Sequence, residues 1–237
     1  MLVSTKGIVL HKTKYADTGL IVQIYTREAG VQSFLVKNAF SKRSRVQLAL
    51  LENLTLVDLT FDDKHEGLKY LRDISLGYHY QRIPFDMVRR SLLIFYNELL
   101  YKLLREYQPD TVLFDMLEKA MKELDAEETS LTDVHLYFMV HLIQILGSRP
   151  IDNYTEDCRY FSLRDAKFVN EYYDSEDYVS AEGSHYLKQI MRGEIIEKLP
   201  NKLIRNELMY ALIRYLQQHN EQIYKIESVD ILSHILR

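Results

Sequence analysis

The sequence predicts an α+β protein in which a small five-stranded β barrel, over residues 1–80, is followed by an α-helical domain, over residues 81–237. Three observations support this prediction. Short β-branched and aromatic runs dominate the first third of the chain, apolar residues recur at helical spacing after Pro84, and the composition is that of an ordinary globular protein, with 47% hydrophobic and 27% charged residues. A chain of 237 residues can form one large domain or two small ones.

Five runs in the first 80 residues have the composition of β-strands. A turn signal at 27–30 joins the second and third runs into a hairpin. Because closure removes exposed strand edges, we expect a small closed barrel, and the pattern would suit an SH3-like barrel as well as other small barrels. The five runs are 8–10, 20–26, 31–36, 54–61 and 68–78.

Helical spacing governs most of the remaining chain. A capping-box pattern at 130–133 opens one helix, which Gly147 ends, and Pro200 is expected in the first turn of a long helix. Residues 148–180 follow no clear period and include an acidic, tyrosine-rich tract at 171–178, so we expect an irregular insert there. The predicted helices cover 88–103, 112–124, 133–146, 181–192, 200–219 and 229–236.

The charge of the chain is unevenly distributed. Residues 1–50 contain eight Lys and Arg against Asp17 and Glu28, a local charge of +6, whereas the whole chain carries −4. A basic end on an acidic chain indicates an anionic partner, of which nucleic acid is the commonest, although a solvated lysine-rich surface would have the same composition.

The densest basic run lies at 37–45, directly after a predicted strand. Its cations can neutralise phosphates and Phe40 can stack on a base, whereas Tyr25 and Phe34 could do so only if they pointed out of the barrel. The alternative for this run is a flexible, solvated loop. The candidate nucleic-acid-binding residues are Lys37, Lys42, Arg43, Arg45 and Phe40 in the run, with Lys6, Lys12 and Lys14 as a second set.

Specific catalytic patterns are absent from the sequence. There is no Gly-rich phosphate loop, no GxSxG element and no HExxH motif. His135 and His141 lie six residues apart on one helix and face different sides, so they cannot share a metal ion. A hydrolase that uses the single cysteine, Cys158, remains an alternative, but no partner base is recognisable beside it. We therefore predict no catalytic residues and no metal site.

Three features of the sequence indicate where in the cell the protein is expected. One cysteine fits a reducing compartment, no apolar stretch is long enough to cross a membrane, and the first residues lack the apolar core of a signal peptide. These features lead us to expect a cytoplasmic protein with no membrane partner.

The order of several short motifs resembles the RecO family, bacterial recombination mediators of the RecF pathway. Each motif is weak alone, but their order and spacing span nearly the whole chain. The motifs are TKGIVL at 5–10, YADTGLIV at 15–22, YTREAG at 25–30, the basic run at 37–45, the strand entry LALL at 48–51, FYNELL at 95–100 and LIQILGSRP at 142–150.

The resemblance implies an N-terminal OB fold, a C-terminal helical domain and a nucleoid-associated protein that is not an enzyme. It further implies binding of single- and double-stranded DNA and annealing of complementary strands, which a surface that neutralises phosphates on two strands would favour. The implied partners are RecR and the acidic C-terminal tail of the single-stranded DNA-binding protein SSB, and together they help to load RecA onto SSB-coated DNA. The alternative is a protein-interaction adaptor that binds no DNA.

Two features of the helical domain follow from the same resemblance. The SSB tail is acidic and ends in an apolar residue, so its site requires cations beside a pocket; the candidates are Lys202, Arg205 and Arg214, with Leu203 and Leu212. Many members of the family carry a four-cysteine zinc site here, but 154–161 contains only Cys158. We therefore expect no cofactor, and packing in place of the metal.

Overall fold

The N-terminal strands form one antiparallel sheet in the order β3-β2-β1-β4-β5. The computed structural model describes residues 1–237 except 38, 41–44, 64–66, 106, 128, 174, 195, 197–198, 221–222 and 237, and gives only the backbone of 45–47. The elements are β1 (Leu2–Tyr15), β2 (Gly19–Thr26), β3 (Gly30–Val36), α1 (Arg45–Leu50), β4 (Leu56–Asp62) and β5 (Leu71–Leu76). This arrangement is consistent with the predicted OB fold and confirms the five strands.

The sheet curls towards closure where the end of β3 meets the segment before β5. Phe34 and Lys69 form a parallel bridge, in which the Leu35 amide donates to the Lys69 carbonyl and the Lys69 amide to the Ser33 carbonyl, both at 2.8 Å. The interior is apolar, and the rings of Phe34 and Phe61 pack edge to face at 5.2 Å. Gly7 lets the strands approach, because a Cβ there would lie 2.6 Å from the Ile24 side chain.

The segment after β3 differs from the prediction at one point. We expected a strand entry at 48–51, but Arg45–Leu50 is a short helix, α1, between β3 and β4. Leu51 behind it is buried in the barrel core. Six residues span fewer than two helical turns, which is too little for a helical period to be recognised in the sequence.

After a 3₁₀ turn at Ile83–Phe85, the described part of the chain continues with six helices and three short strands. The helices confirm the predicted positions to within two residues at each end. They are α2 (Met87–Leu103), α3 (Thr111–Asp125), α4 (Val134–Ile145), α5 (Ala181–Met191), α6 (Lys202–His219) and α7 (Ser228–Ile235); the strands are β6 (Tyr160–Ser162), β7 (Lys167–Val169) and β8 (Tyr178–Val179).

Three details of this half correct the sequence analysis. Asp133 is the N-cap residue of α4 and makes no side-chain capping bond, so the capping box is wrong. Pro200 precedes the N-cap Asn201 of α6 instead of lying in its first turn. The insert at 148–180 contains the small sheet β7-β6-β8, so it is not irregular throughout. Gly147, with φ +82°, ends α4 as expected, since the Ser148 amide donates to the Ile143 carbonyl.

The contacts divide the chain into two compact units, residues 1–85 with 96–125, and residues 86–95 with 126–237. We call the first the barrel unit and the second the helical unit. Within the barrel unit, α3 packs on β2 through Phe114 and Tyr25, and the Tyr25 hydroxyl donates to the Asp110 carbonyl at 3.0 Å. A domain boundary between residues 80 and 81 stays a prediction.

Candidate nucleic-acid interface

Most of the described N-terminal cations are held by carboxylates. Lys6 Nζ lies 3.1 and 3.2 Å from the two carboxylate oxygens of Glu118, and Lys12 Nζ lies 2.6 Å from Glu52. Arg27 makes two hydrogen bonds to Asp115, at 2.8 and 2.9 Å, and these bonds hold the pKa of the Asp115 carboxyl below its usual range. The local charge of +6 is therefore partly neutralised by acidic side chains elsewhere in the barrel unit.

Glu118 shows how firmly one of these pairs is formed. Burial alone would raise the pKa of its carboxyl, but hydrogen bonds from Lys122 and Lys6 outweigh burial and hold the pKa below the usual range. Lys6 would have to exchange this carboxylate for a phosphate in order to bind DNA. That exchange makes Lys6 a weaker candidate than an exposed lysine without a carboxylate partner.

A β-bulge separates Lys6 from the other two β1 lysines. The register between β1 and β2 shifts between Val9 and His11, so that Lys12 and Lys14 pair with Val22 and Leu20. Those partners belong to the barrel core, and directly paired residues share a sheet face.

Ahead of the bulge, Lys6 lies on the face of Ile8, which pairs with Tyr25 beneath α3. Lys6 therefore lies on the sheet face opposite to that of Lys12 and Lys14, and the structure does not bring the three lysines together.

Lys14 and Lys37 lie at the same end of the sheet. Lys14 pairs with Leu20, which pairs with Val36, so the row spans two strand spacings, about 10 Å. The Ala39 amide donates to the Thr18 carbonyl at 2.8 Å, which ties the chain after β3 to the β1–β2 turn. Lys14 and Phe40 are exposed here, with 52% of Phe40 accessible.

A groove of about 290 Å³ opens beside Lys37. Its floor is apolar, and its rim carries Lys37, Tyr70, Arg72 and Asp73. Tyr70 is 48% exposed, and the Lys37 ammonium lies 5.1 Å from the centre of its ring. We define the barrel-end patch as Lys14, Lys37, Phe40, Tyr70 and Arg72.

Sequence reasoning missed Tyr70 and Arg72, although the strand run at 68–78 was predicted. Their position depends on the closing bridge between β3 and the chain before β5, which no local pattern reveals. Tyr25 and Phe34, in contrast, are fully buried, so neither is available to stack on a base. Lys42, Arg43 and the side chain of Arg45 lie outside the described residues, and their assignment to this interface stays a prediction.

The candidate tail-binding residues in the helical unit do not form one site. Arg205 is 2% exposed, its Nε donates to Asp133 Oδ1 at 2.7 Å, and Leu212 is 3% exposed. Lys202 and Leu203 are exposed at the start of α6, about 18 Å along the helix axis from Arg214 at 1.5 Å per residue. Arg205 and Leu212 are therefore structural side chains, and the exposed candidates fall into two separate places.

Arg214 borders a larger groove in the helical unit. The groove measures about 530 Å³ and is lined from α6, α7 and β8, with Ile213, Ile226 and Val229 among its apolar residues. Arg214 is held at its rim by Glu176 at 2.5 Å and Asp177 at 2.9 Å. Lys225 lines the same groove.

Aromatic side chains fill the part of the helical unit where the family resemblance implies zinc. Phe168 contacts Phe161 at 5.1 Å and Tyr154 at 5.3 Å, and Phe161 contacts Tyr215 at 6.1 Å. Cys158 is half-buried in this region. Among the described residues no group of three or more His, Cys, Asp or Glu could hold a metal ion. The residues present do not fit a four-cysteine zinc site.

Within the described residues, none of the helices is both long and apolar enough to span a bilayer.

Comparisons with known proteins cover both halves of the chain. Residues 1–79 match the family model described as "Recombination protein O N terminal", and residues 84–225 match "Recombination protein O C terminal". The chain is 30% identical over 240 residues to the DNA repair protein RecO of Phocaeicola vulgatus, with 99% of both chains covered. It is similarly related to the proteins of that name from Bacteroides fragilis, at 29% identity, and Flavobacterium johnsoniae, at 26%, again with 99% of both chains covered.

Proposed function

The chain belongs to the RecO family, whose role lies in DNA repair and recombination, and we propose on that premise that it binds DNA through the barrel-end patch and acts as a recombination mediator. One observation carries the proposal: exposed cations and exposed aromatic rings share one end of an OB-type barrel. OB folds bind oligonucleotides on this kind of surface, with cations on the phosphates and rings on the bases.

The proposed activity is to anneal complementary DNA strands and to help deliver RecA to DNA, and no covalent bond is made or broken. A surface that neutralises phosphates on two strands lowers their mutual repulsion and so favours pairing. With RecR, the protein would then help to load RecA onto DNA that SSB covers. The rest of the basic run, residues 41–45, is assigned to the same surface in this proposal, because it follows Phe40 directly in the chain.

The test is the binding of a labelled oligo(dT), measured by fluorescence anisotropy across a salt series. The variant Lys14→Glu with Lys37→Glu removes two lysines of the patch. Its matched control, Lys119→Glu with Lys167→Glu, makes the same change in net charge at exposed lysines on α3 and β7. We expect salt-sensitive binding that the first variant weakens and the control keeps.

The competing hypothesis is a protein-interaction adaptor that binds no DNA, and the same titration distinguishes it from the DNA-binding proposal. An adaptor has no reason to bind DNA more tightly at low salt. If the wild-type protein shows no salt-sensitive affinity for oligo(dT), the DNA-binding proposal fails and the adaptor reading takes its place.

The second part of the proposal concerns the SSB tail, which we place in the groove beside Arg214. An acidic peptide that ends in an apolar residue matches a cation at the rim of an apolar groove. To bind Arg214, a carboxylate of the peptide must displace Glu176 and Asp177 from the guanidinium. Both ion pairs are solvent-exposed, and such pairs contribute little stability, so the peptide can replace them.

Titration of a labelled tail peptide tests this placement. Arg214→Ala should weaken binding of the peptide and leave binding of DNA unchanged. Lys202→Ala, about 18 Å away on the same helix, is the matched control. Loss of peptide affinity in Lys202→Ala alone would move the site to the start of α6.

A further inference from the structure

The groove between the end of β3 and the start of β5 has the form of a site for one flat ring. Its volume of about 290 Å³ is just below the range of roughly 300–1,000 Å³ for ligand pockets, which suits a single ring. The Tyr70 ring is half exposed at its rim, above a floor that includes Leu35, Leu51 and Leu71.

The backbone holds Tyr70 in place before any ligand arrives. Lys69, its neighbour, exchanges two backbone hydrogen bonds of 2.8 Å with β3, through Ser33 and Leu35. The Lys69 side chain is buried, pairs with Asp63 and lies 5.2 Å from the centre of the Phe61 ring. Residues that close the barrel therefore position the exposed ring, and little ordering remains to be done on binding.

The charges around the groove suit a base with one adjoining phosphate better than a duplex backbone. Lys37 lies over Tyr70 at 5.1 Å, but the rim also carries the Asp73 carboxylate, and Arg72 is 3.5 Å from Asp62. A surface that tracks two phosphate strands needs more cations than this rim carries, so in the proposed function that role belongs to the basic residues beyond the groove. A ring with a neighbouring cation instead stacks on any unpaired base, because every base has a π face.

We infer that Tyr70, flanked by Lys37, is a stacking site for an unpaired nucleobase and that this stacking makes the barrel bind single-stranded DNA more tightly than duplex DNA. The inference rests on the proposed function, since it names the form of DNA that the barrel-end patch selects. Bases inside a duplex are stacked on one another, so Tyr70 can engage only a base that is free of its partner.

The test compares oligo(dT) with a duplex of the same length in Tyr70→Ala and in a control, Tyr224→Ala, at a tyrosine that is 88% exposed in the helical unit. Loss of one stacked base should weaken single-strand binding by about 5- to 150-fold. Duplex binding should change by less than about 2-fold, because phosphate contacts dominate it. Circular dichroism checks that both variants fold.

A second measurement reads the stacking directly. The protein contains no tryptophan, so Tyr70→Trp introduces a single indole fluorophore at the groove, and Tyr224→Trp does so at the control position. We expect oligo(dT) to quench the fluorescence of the first variant and to leave that of the second unchanged, with single-strand affinity retained in both.

The outcomes separate this inference from the proposed function. If the wild-type protein shows no salt-dependent binding of either oligo(dT) or the duplex, the proposed function fails and the inference fails with it. If it binds DNA, but Tyr70→Ala weakens both forms equally or neither, or Tyr70→Trp is not quenched, the stacking inference is overturned and the DNA-binding proposal stands.

Discussion

Arg205 and Asp133 form a buried ion pair that holds α6 against the start of α4. The Arg205 side chain is 2% exposed and Asp133 is 11% exposed, and the second carboxylate oxygen of Asp133 accepts the Leu199 amide at 3.1 Å. Removal of one partner leaves the other charge buried and uncompensated. The pair therefore contributes to the packing of the helical unit, and a substitution at Arg205 tests stability and not recognition.

We expect Arg205→Ala to lower the free energy of unfolding by about 3–5 kcal/mol, the cost of breaking a buried pair. Urea denaturation measures this loss of unfolding free energy. Arg214→Ala serves as the exposed counterpart, since the Arg214 side chain is 41% exposed and surface pairs contribute about 0–1 kcal/mol. Equal losses in the two variants would contradict this account of Arg205.

His135 is fully buried on α4, and neither ring nitrogen has a hydrogen-bond partner among the described residues. Burial, with a smaller contribution from the charge of Arg205, lowers the pKa of His135 to about 3. The unfolded chain binds a proton below about pH 6.5, whereas the folded chain does not. The free energy of unfolding that neutral His135 contributes is therefore complete above about pH 6.5 and decreases as the pH falls below that value.

The expected slope is up to about 1.4 kcal/mol per pH unit between pH 6.5 and pH 5, a window above the titration of most carboxylates. His135→Leu should flatten this part of the stability profile. His141→Leu, at an exposed position of the same helix, should keep the wild-type slope. Urea unfolding at stepped pH values compares the three proteins, and an unchanged slope in His135→Leu would rule out this role.

At the scale of elements, the small sheet β6–β8 depends on aromatic packing. Phe161 and Phe168 are each 1% exposed, and the Phe161 amide is held by the Ser184 hydroxyl at 2.8 Å. Tyr172 and Tyr178 of the acidic tract pack with each other at 6.3 Å, and Tyr160 packs on Tyr172 at 5.1 Å. We expect these contacts to stabilise the sheet without the bound metal on which many small folds depend.

Two treatments separate packing from metal binding. Phe168→Ala should lower the unfolding free energy by about 3–5 kcal/mol, as large core truncations do. A strong chelator should leave the melting temperature of the wild-type protein unchanged. Tyr224→Ala, at a residue that is 88% exposed, should stay within about 0.5 kcal/mol of wild type. A drop in melting temperature with the chelator would indicate a structural metal.

Much of the fold could be predicted from local patterns, because each strand and long helix carries its own period. The capping box failed because the Asp133 carboxylate binds Arg205 and the Leu199 amide, which are distant in sequence. Helix α1 was missed because its six residues are too few to show a period. The first error comes from contacts that are distant in sequence, and the second from a helix that is too short to show a period.

The candidate site could be predicted only in part for a similar reason. The basic end of the chain pointed to an anionic partner, but a one-residue bulge near Leu10 decides that Lys6 and Lys14 lie on different faces. Tyr70 and Arg72 join Lys37 only through the closure between β3 and the chain before β5. The sequence indicated which kinds of side chain could bind DNA, whereas the tertiary structure was needed to show which of them lie together.

At the scale of the whole molecule, the charge distribution favours one end of the chain for DNA. Residues 1–50 carry +6 in a protein whose total charge is −4, so the rest is strongly acidic and repels phosphates. Of the five N-terminal cations whose side chains the structure describes, Lys6, Lys12 and Arg27 are paired with carboxylates. The proposed function therefore assigns Lys14 and Lys37 to DNA, together with Lys42, Arg43 and Arg45 of the basic run, whose side chains lie outside the described residues.

These cations set the expected dependence of binding on salt. If each neutralises one phosphate, about five counterions are released, and log K should fall with log salt at a slope of about −3.5 for a single strand. Lys42→Glu with Arg43→Glu and Arg45→Glu should reduce the slope to about −1.4 and abolish the acceleration of strand annealing. Anisotropy titrations at stepped salt concentrations measure the slope. A wild-type slope that the triple substitution leaves unchanged would exclude the basic run from the DNA-binding surface.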